Sequence, residues 1–220
     1  MRNMARRSVW VKVLVFAAVL AVLVFLFLRS VRTTRTAPFV VERGMLTGWT
    51  LAARPDGDAA TAWLGLGAPE RLAPPLGREI FGRTAESLAF PSEPVIPLLL
   101  QAEFDAAFDG PGMPDTILRL ARDAGLESGV WTPRCMGYRR ISEPGGTRSV
   151  YFLLFEGTRF ERFRDRLADL LRAEGRDASR FDPRGLSPVL MVAGGDGDFG
   201  RWIPLRADPA TDCLAPVEVE

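Results

Sequence analysis

The sequence predicts an α+β protein, a single N-terminal transmembrane helix followed by an antiparallel-sheet domain. Three observations predict it. Residues 9–28, VWVKVLVFAAVLAVLVFLFL, are an apolar run with one charge, and at about 1.5 Å per residue such a helix spans a hydrocarbon core of roughly 30 Å. Beyond it, short β-compatible runs alternate with two amphipathic segments of helical period. Glycine- and proline-containing turn sequences separate them.

Residues 1–8 are a short basic tail, expected on the cytoplasmic side. In the span, Lys12 lies near one end, where its ammonium reaches the headgroups, and Trp10 and Arg29 mark the interfaces. A cleaved signal peptide shares the basic start and the apolar stretch. Against it, the uncharged core from Val13 to Leu28 exceeds a usual signal core, and the following RSVRTTRTAPF offers poor cleavage chemistry. Basic residues flank both ends, so the bias toward an inside N-terminus is small.

Residues 29–44 read as a polar juxtamembrane linker. Runs 45–53 and 59–67 flank Arg-Pro-Asp-Gly-Asp and predict a β-hairpin, with Trp49 and Trp63 covering one face. Pro69, Pro74, Pro75, Pro91, Pro94 and Pro97 make 68–97 an irregular connection with one short helix near 78–87. The hairpin and connection, 45–94, form one region and 95–220 the main α+β domain.

Within that domain, 95–104 reads as a buried strand. A helix follows with Pro114 in its first turn, an Ile117, Leu118, Ala121, Ala124 stripe and a stop at Gly125. Runs 131–141 and 148–156 predict a second hairpin. Thr158 and Glu161 have the spacing of a capping box ahead of a helix lined by Phe160, Phe163, Leu167, Leu170 and Leu171, with Arg164 paired to Glu161 on the wet side. Runs 186–195 and 201–206 read as strands, and the tail from Ala207 as coil. This succession, β-α-β-β-α-β plus a strand, matches a ferredoxin-like split βαβ carrying an N-terminal hairpin extension.

Composition excludes more chemistry than it suggests. The 220 residues contain no histidine, which removes Ser-His and Cys-His nucleophiles and imidazole-bound metals. Lys12 is the sole lysine, and its place in the span removes Ser-Lys and Schiff-base chemistry. No phosphate-cradling or nucleophile-elbow motif is present, so no cofactor is expected. Residues 1–36 hold seven basic side chains and no acid, suited to anionic headgroups. The remainder carries an excess of acid, so nucleic acid is not an expected partner.

A few residues still invite chemistry. Asp196 and Asp198, in Gly-Gly-Asp-Gly-Asp, are weak metal candidates by the affinity of Ca²⁺ for carboxylates, against a glycine-rich turn. Glu103 and Asp105 would share one side of an extended segment near Asp109, a conceivable carboxylate pair, against solvated acids at a strand end. Arg139 and Arg140, with Arg159, Arg162, Arg164 and Arg166, could hold an anion, against ordinary solvated faces. Cys135 and Cys213 are the only cysteines. They predict one disulfide in an oxidising compartment, with two unrelated buried thiols as the alternative.

The expectation is a non-enzymatic, membrane-anchored envelope scaffold or assembly component, held in lipid by residues 9–28, whose extracytoplasmic domain docks another envelope protein. The first alternative is an anchored carboxylate hydrolase acting on a cell-wall or polysaccharide substrate, requiring two acids across a cleft. The second is a small-ligand sensor, requiring an enclosed apolar pocket.

Overall fold

A computed structural model describes the backbone of residues 2–55, 59–144 and 146–220, and the side chains of those from Val15 onward. Two units are present, residues 1–37 and 38–220. The first is one helix, α1 (Arg2–Thr36). Its stretch Val15–Thr36 is long and apolar enough to cross a membrane, and side chains such as Phe16, Phe25 and Phe27 are exposed. The helix also takes in 29–36, read above as linker. Arginine is a good helix former, and the hydroxyls of Thr33, Thr34 and Thr36 donate to the carbonyls of Arg29, Ser30 and Arg32, so the polar end continues the helix.

The second unit holds eight strands among the described residues: β1 (Phe39–Val41), β2 (Thr50–Ala53), β3 (Ala62–Gly67), β4 (Val95–Leu100), β5 (Pro133–Glu143), β6 (Gly146–Phe155), β7 (Val189–Gly194) and β8 (Cys213–Val219). Five form a mixed sheet in the order β1-β8-β5-β6-β7, and β2-β3-β4 form a small antiparallel one. In the larger sheet only β1 and β8 run parallel.

The α+β class holds, but the pairing departs from the ferredoxin-like order. That order needs β4 beside β6; β4 instead pairs with β3, making the hairpin of β2 and β3 part of a three-stranded sheet. Residues 201–206 are not a strand. β7's outer edge is already taken by Ala89, which exchanges both backbone hydrogen bonds with Gly194, and Pro204 limits further pairing. The segment folds into turns instead, with Trp202 and Leu205 packed in an apolar cluster. The tail read as coil supplies α6 (Pro209–Asp212) and β8; Pro216 had hidden the strand.

Successive residues of β6 explain why the sheet is covered on both faces. Tyr151, Leu153 and Phe155 enter the main core with Phe160, Phe163 and Leu167 of α5 (Thr158–Ala173). Val150, Phe152 and Leu154 enter a second cluster with Phe199, Trp202 and Leu205. This period-two division follows from the pleat. Close packing demands Gly137 on β5, where an added Cβ would collide with the Phe152 ring.

Helix ends follow the sequence in part. In α4 (Met113–Asp123), Pro114 lies in the first turn, and Gly125 at φ +66° ends it with Leu126 N–H donating to Ala121, a Schellman stop. The expected capping box does not form, because α5 begins one residue earlier than a Thr158 cap requires: Gly157 is the cap and Thr158 already helical. The Pro-rich connection contains α2 (Ala73–Thr84), earlier than expected, since Pro74 and Pro75 fit its first turn instead of breaking it. Trp49 and Trp63 do not share a face. Trp49 contacts Trp131 and Phe155, whereas Trp63 stacks on Phe104 at 4.2 Å.

Candidate functional site

β2, β3, the first half of α2 and the strap between α2 and β4 enclose a cleft of about 870 Å³. Its floor is smooth because its residues are small: Thr50 and Ala52 alternate onto one face of β2, with Gly67 and Ala68 beside them. A Cβ added at Gly67 would come within 3.0 Å of Thr50 Oγ1. Pro74 of α2 and Phe90, Pro91 and Pro94 of the strap supply apolar walls, while Arg54, Arg78, Glu70 and Glu93 carry charge.

The strap is held at several points. Ala85, in the left-handed conformation at φ 53°, ends α2 and turns the chain into it. Glu86 accepts from the Tyr151 hydroxyl at 3.1 Å, Ala89 bridges to Gly194, and Pro94 O accepts from Ala68 N–H. The ring of Phe90 rests on Gly77, where any Cβ would strike it, yet Phe90 remains 51% exposed. A large aromatic side chain is thus seated by a glycine and left half open at a cleft. At the mouth Arg54 takes φ 51°, a conformation that costs a non-glycine residue about 1 kcal/mol.

These four charged residues are exposed, and among the described residues no ion pair engages them. Some charges elsewhere on the body are paired internally. Arg148 meets Asp196 at 2.8 Å and Glu143 at 3.4 Å, and Arg201 meets Glu143 at 3.0 Å. Arg139 pairs with Asp212. Arg184 meets Asp165 at 2.9 Å.

Most residues singled out in the sequence lie outside the cleft. Glu103 and Asp105 do not flank an extended segment: β4 ends at Leu100, and helical turns over Gln101–Glu103 and Phe104–Phe108 carry them apart. Glu103 is committed to Arg164, Asp105 accepts from Gln101 at 2.7 Å, and the backbone carbonyl of Asp109 accepts from Arg176 at 2.8 Å. Asp196 accepts from Arg148 and, through its other oxygen, from the Asp198 amide. Burial pushes the Asp196 carboxyl up, but those hydrogen bonds and the Arg148 charge outweigh it and hold it below the ordinary carboxylate range. A cation there would have to displace a guanidinium. Cys135 and Cys213 sit at disulfide distance, with Cα atoms 5.7 Å apart. Arg29 is exposed on α1. The side chains of Trp10 and Lys12 and the Asp56-Gly-Asp58 turn lie outside the described residues.

Arg164, read as a surface residue, is fully buried. Nε donates to Pro183 O at 3.0 Å. Nη1 donates to Leu98 O at 3.1 Å and Glu103 Oε2 at 3.2 Å. Nη2 donates to Glu103 Oε1 and Asp182 O, both at 2.6 Å. Every one of the five guanidinium N–H groups is used, with Phe181 stacked at 4.6 Å.

The cleft residues gave little sequence signal. Arg54, Glu70, Arg78, Phe90 and Glu93 lie in a turn, a helix and a Pro-rich stretch that only the fold brings together. The chain matches no protein-family model, no curated protein and no solved structure.

Proposed function

We propose that this chain is a single-pass membrane protein, held in lipid by residues 9–28, whose extracytoplasmic body is a non-enzymatic docking module for another envelope protein. The observation that carries this reading is the cleft, where a half-exposed Phe90 and a floor of small residues lie among four exposed charged residues that form no ion pair among the described residues. Its occupant is an extended segment of the partner bearing both basic and acidic side chains. A floor of small residues admits a main chain at close range, Phe90 and the prolines take an apolar side chain, and the rim pairs with opposite charges. The apolar helix supports the anchor, and the paired cysteines suit an oxidising compartment.

Sheet edges are poorer docking sites. Glu127 accepts the Leu51 amide of β2 at 2.9 Å, Ala89 of the strap occupies the Gly194 end of β7, and β1 has only three residues. The hydrolase alternative keeps one observation, that Glu70 and Glu93 line one cleft. Both are exposed, however, whereas a carboxyl serving as general acid near neutrality needs desolvation.

A photo-crosslinking residue at position 78 of the full-length protein in its native membrane tests the docking reading. A discrete adduct is expected that maps to an extracytoplasmic segment of another envelope protein and disappears in Phe90→Asp, with none from the same probe at exposed Arg119. Equal labelling from both positions, or no cleft adduct, refutes it. Turnover of a polysaccharide substrate abolished by Glu70→Gln or Glu93→Gln would establish the hydrolase instead.

A further inference from the structure

β8 fills an interior position of the five-stranded sheet, between β1 and β5, yet its lateral hold is weak. It registers with β5 at three positions only, with a bulge between Met136 and Gly137. Pro216, opposite Cys135, has no N–H to give a ladder, and proline is otherwise a residue of sheet edges. Of its seven residues only Ala215 is buried. β1 pairs with β8 alone, but its hold does not rest on that strand: Phe39 and Val41 are buried in the main core, and Arg83 lies over the Phe39 ring and donates to Pro38 O.

At the exit of β8 Glu220 accepts from the Arg43 amide and donates to Val41 O; the covalent and ionic fastenings lie at the entry to β8. Cys213, its first residue, is bonded to Cys135. Asp212, just before it, pairs with Arg139 and accepts from the Asp208 amide at 2.7 Å. Cys135 is 4% exposed whereas Cys213 is only partly buried, so a reagent in solution meets Cys213 Sγ first.

We infer that β8 is a redox-conditioned latch: with the Cys135–Cys213 bond intact β8 completes the sheet, and on its reduction by a dithiol β8 opens while β1 stays seated on the core and β5, β6 and β7 stay paired. In that step a dithiol thiolate attacks Cys213 Sγ, the S–S bond breaks and Cys135 leaves as a thiolate. The second thiol then resolves the mixed disulfide, so the protein gains two electrons and two protons and the reductant departs as its own disulfide. Local opening of this kind is the behaviour of an element with little buried area and few ladder bonds.

Amide hydrogen exchange followed by mass spectrometry, on the full chain in detergent micelles with and without dithiothreitol, tests the latch. Protection of residues 213–219 falls roughly 100-fold on reduction, while that of 150–154 in β6 is unchanged. Unchanged protection in 213–219 overturns the latch, because pairing then holds without the bond. Equal loss in β6 also overturns it, because the bond then supports the whole fold. The Cys135→Ser, Cys213→Ser double variant, if it folds, reproduces the reduced pattern without reductant; a folded variant with the oxidised pattern overturns the proposal.

Discussion

Replacing Arg164 with Met removes a guanidinium that joins four parts of the body: the end of β4 through Leu98, the following turn through Glu103, α5 itself, and the loop at Asp182 and Pro183. Methionine keeps much of the apolar stem, so the loss is chiefly electrostatic and hydrogen-bonded. Three carbonyls lose a donor. The Glu103 carboxylate, 16% exposed, keeps only the Leu100 amide at 2.9 Å among its described partners. Removing one member of a buried ion pair costs about 3–5 kcal/mol. In a body of this size about 1 kcal/mol moves the midpoint by 2–4 °C, so Arg164→Met is expected to lower Tm by roughly 6–20 °C. Urea denaturation of the full chain in detergent, followed by tryptophan fluorescence, reads the change. A double-mutant cycle with Glu103→Gln isolates the pair: the two losses should overlap strongly, with a coupling of about 1–3 kcal/mol. A loss below about 1 kcal/mol, or additive losses, would show that Arg164 behaves as a surface residue and would refute this account of the core.

Acid titration tests the Arg139–Asp212 pair: burial raises the Asp212 carboxyl, but hydrogen bonds from Arg139 and the Asp208 amide, with the Arg139 charge, outweigh it and leave it below the ordinary range. A depressed folded value gives stability that is fully present above the unfolded carboxyl value of about 3.9 and is lost as pH falls through the folded one. Urea midpoints at pH 5 and pH 3 should therefore diverge less in Asp212→Asn than in the parent. Gly77→Ala pushes the Phe90 ring off its seat; a cost of about 1–3 kcal/mol is expected in the urea midpoint, together with loss of the crosslink from position 78. Leu23→Arg places a charge in the apolar stretch of α1 at an insertion cost of about 2.5–3.5 kcal/mol, and should increase the share of protein extracted by alkaline carbonate.

The apolar helix was legible because twenty residues of one character need no tertiary context. So was the hairpin of β5 and β6, where Ser-Glu-Pro-Gly-Gly-Thr separates two apolar runs. Boundaries failed where one residue type serves two purposes. Pro74 and Pro75 read as breakers but open α2, and Pro216 hid β8. Thr33, Thr34 and Thr36 suggested a linker because their bonds to carbonyls one turn back leave no trace in composition. Arg164 lies at i+3 from Glu161, a spacing that equally describes a solvated pair, and only the placement of Glu103 by the turns after β4 decides between them. The cleft was illegible for a different reason: its defining property is the absence of side chains at Gly67 and Gly77 opposite groups remote in sequence.

The central claim, an anchored chain with its body in an oxidising compartment, is tested most directly by intact mass spectrometry of protein extracted from native membranes and alkylated with maleimide before and after reduction. The account predicts a mass that includes residues 9–28, no alkylation before reduction and two adducts after it. A chain trimmed beyond α1, or two adducts without reductant, would contradict it.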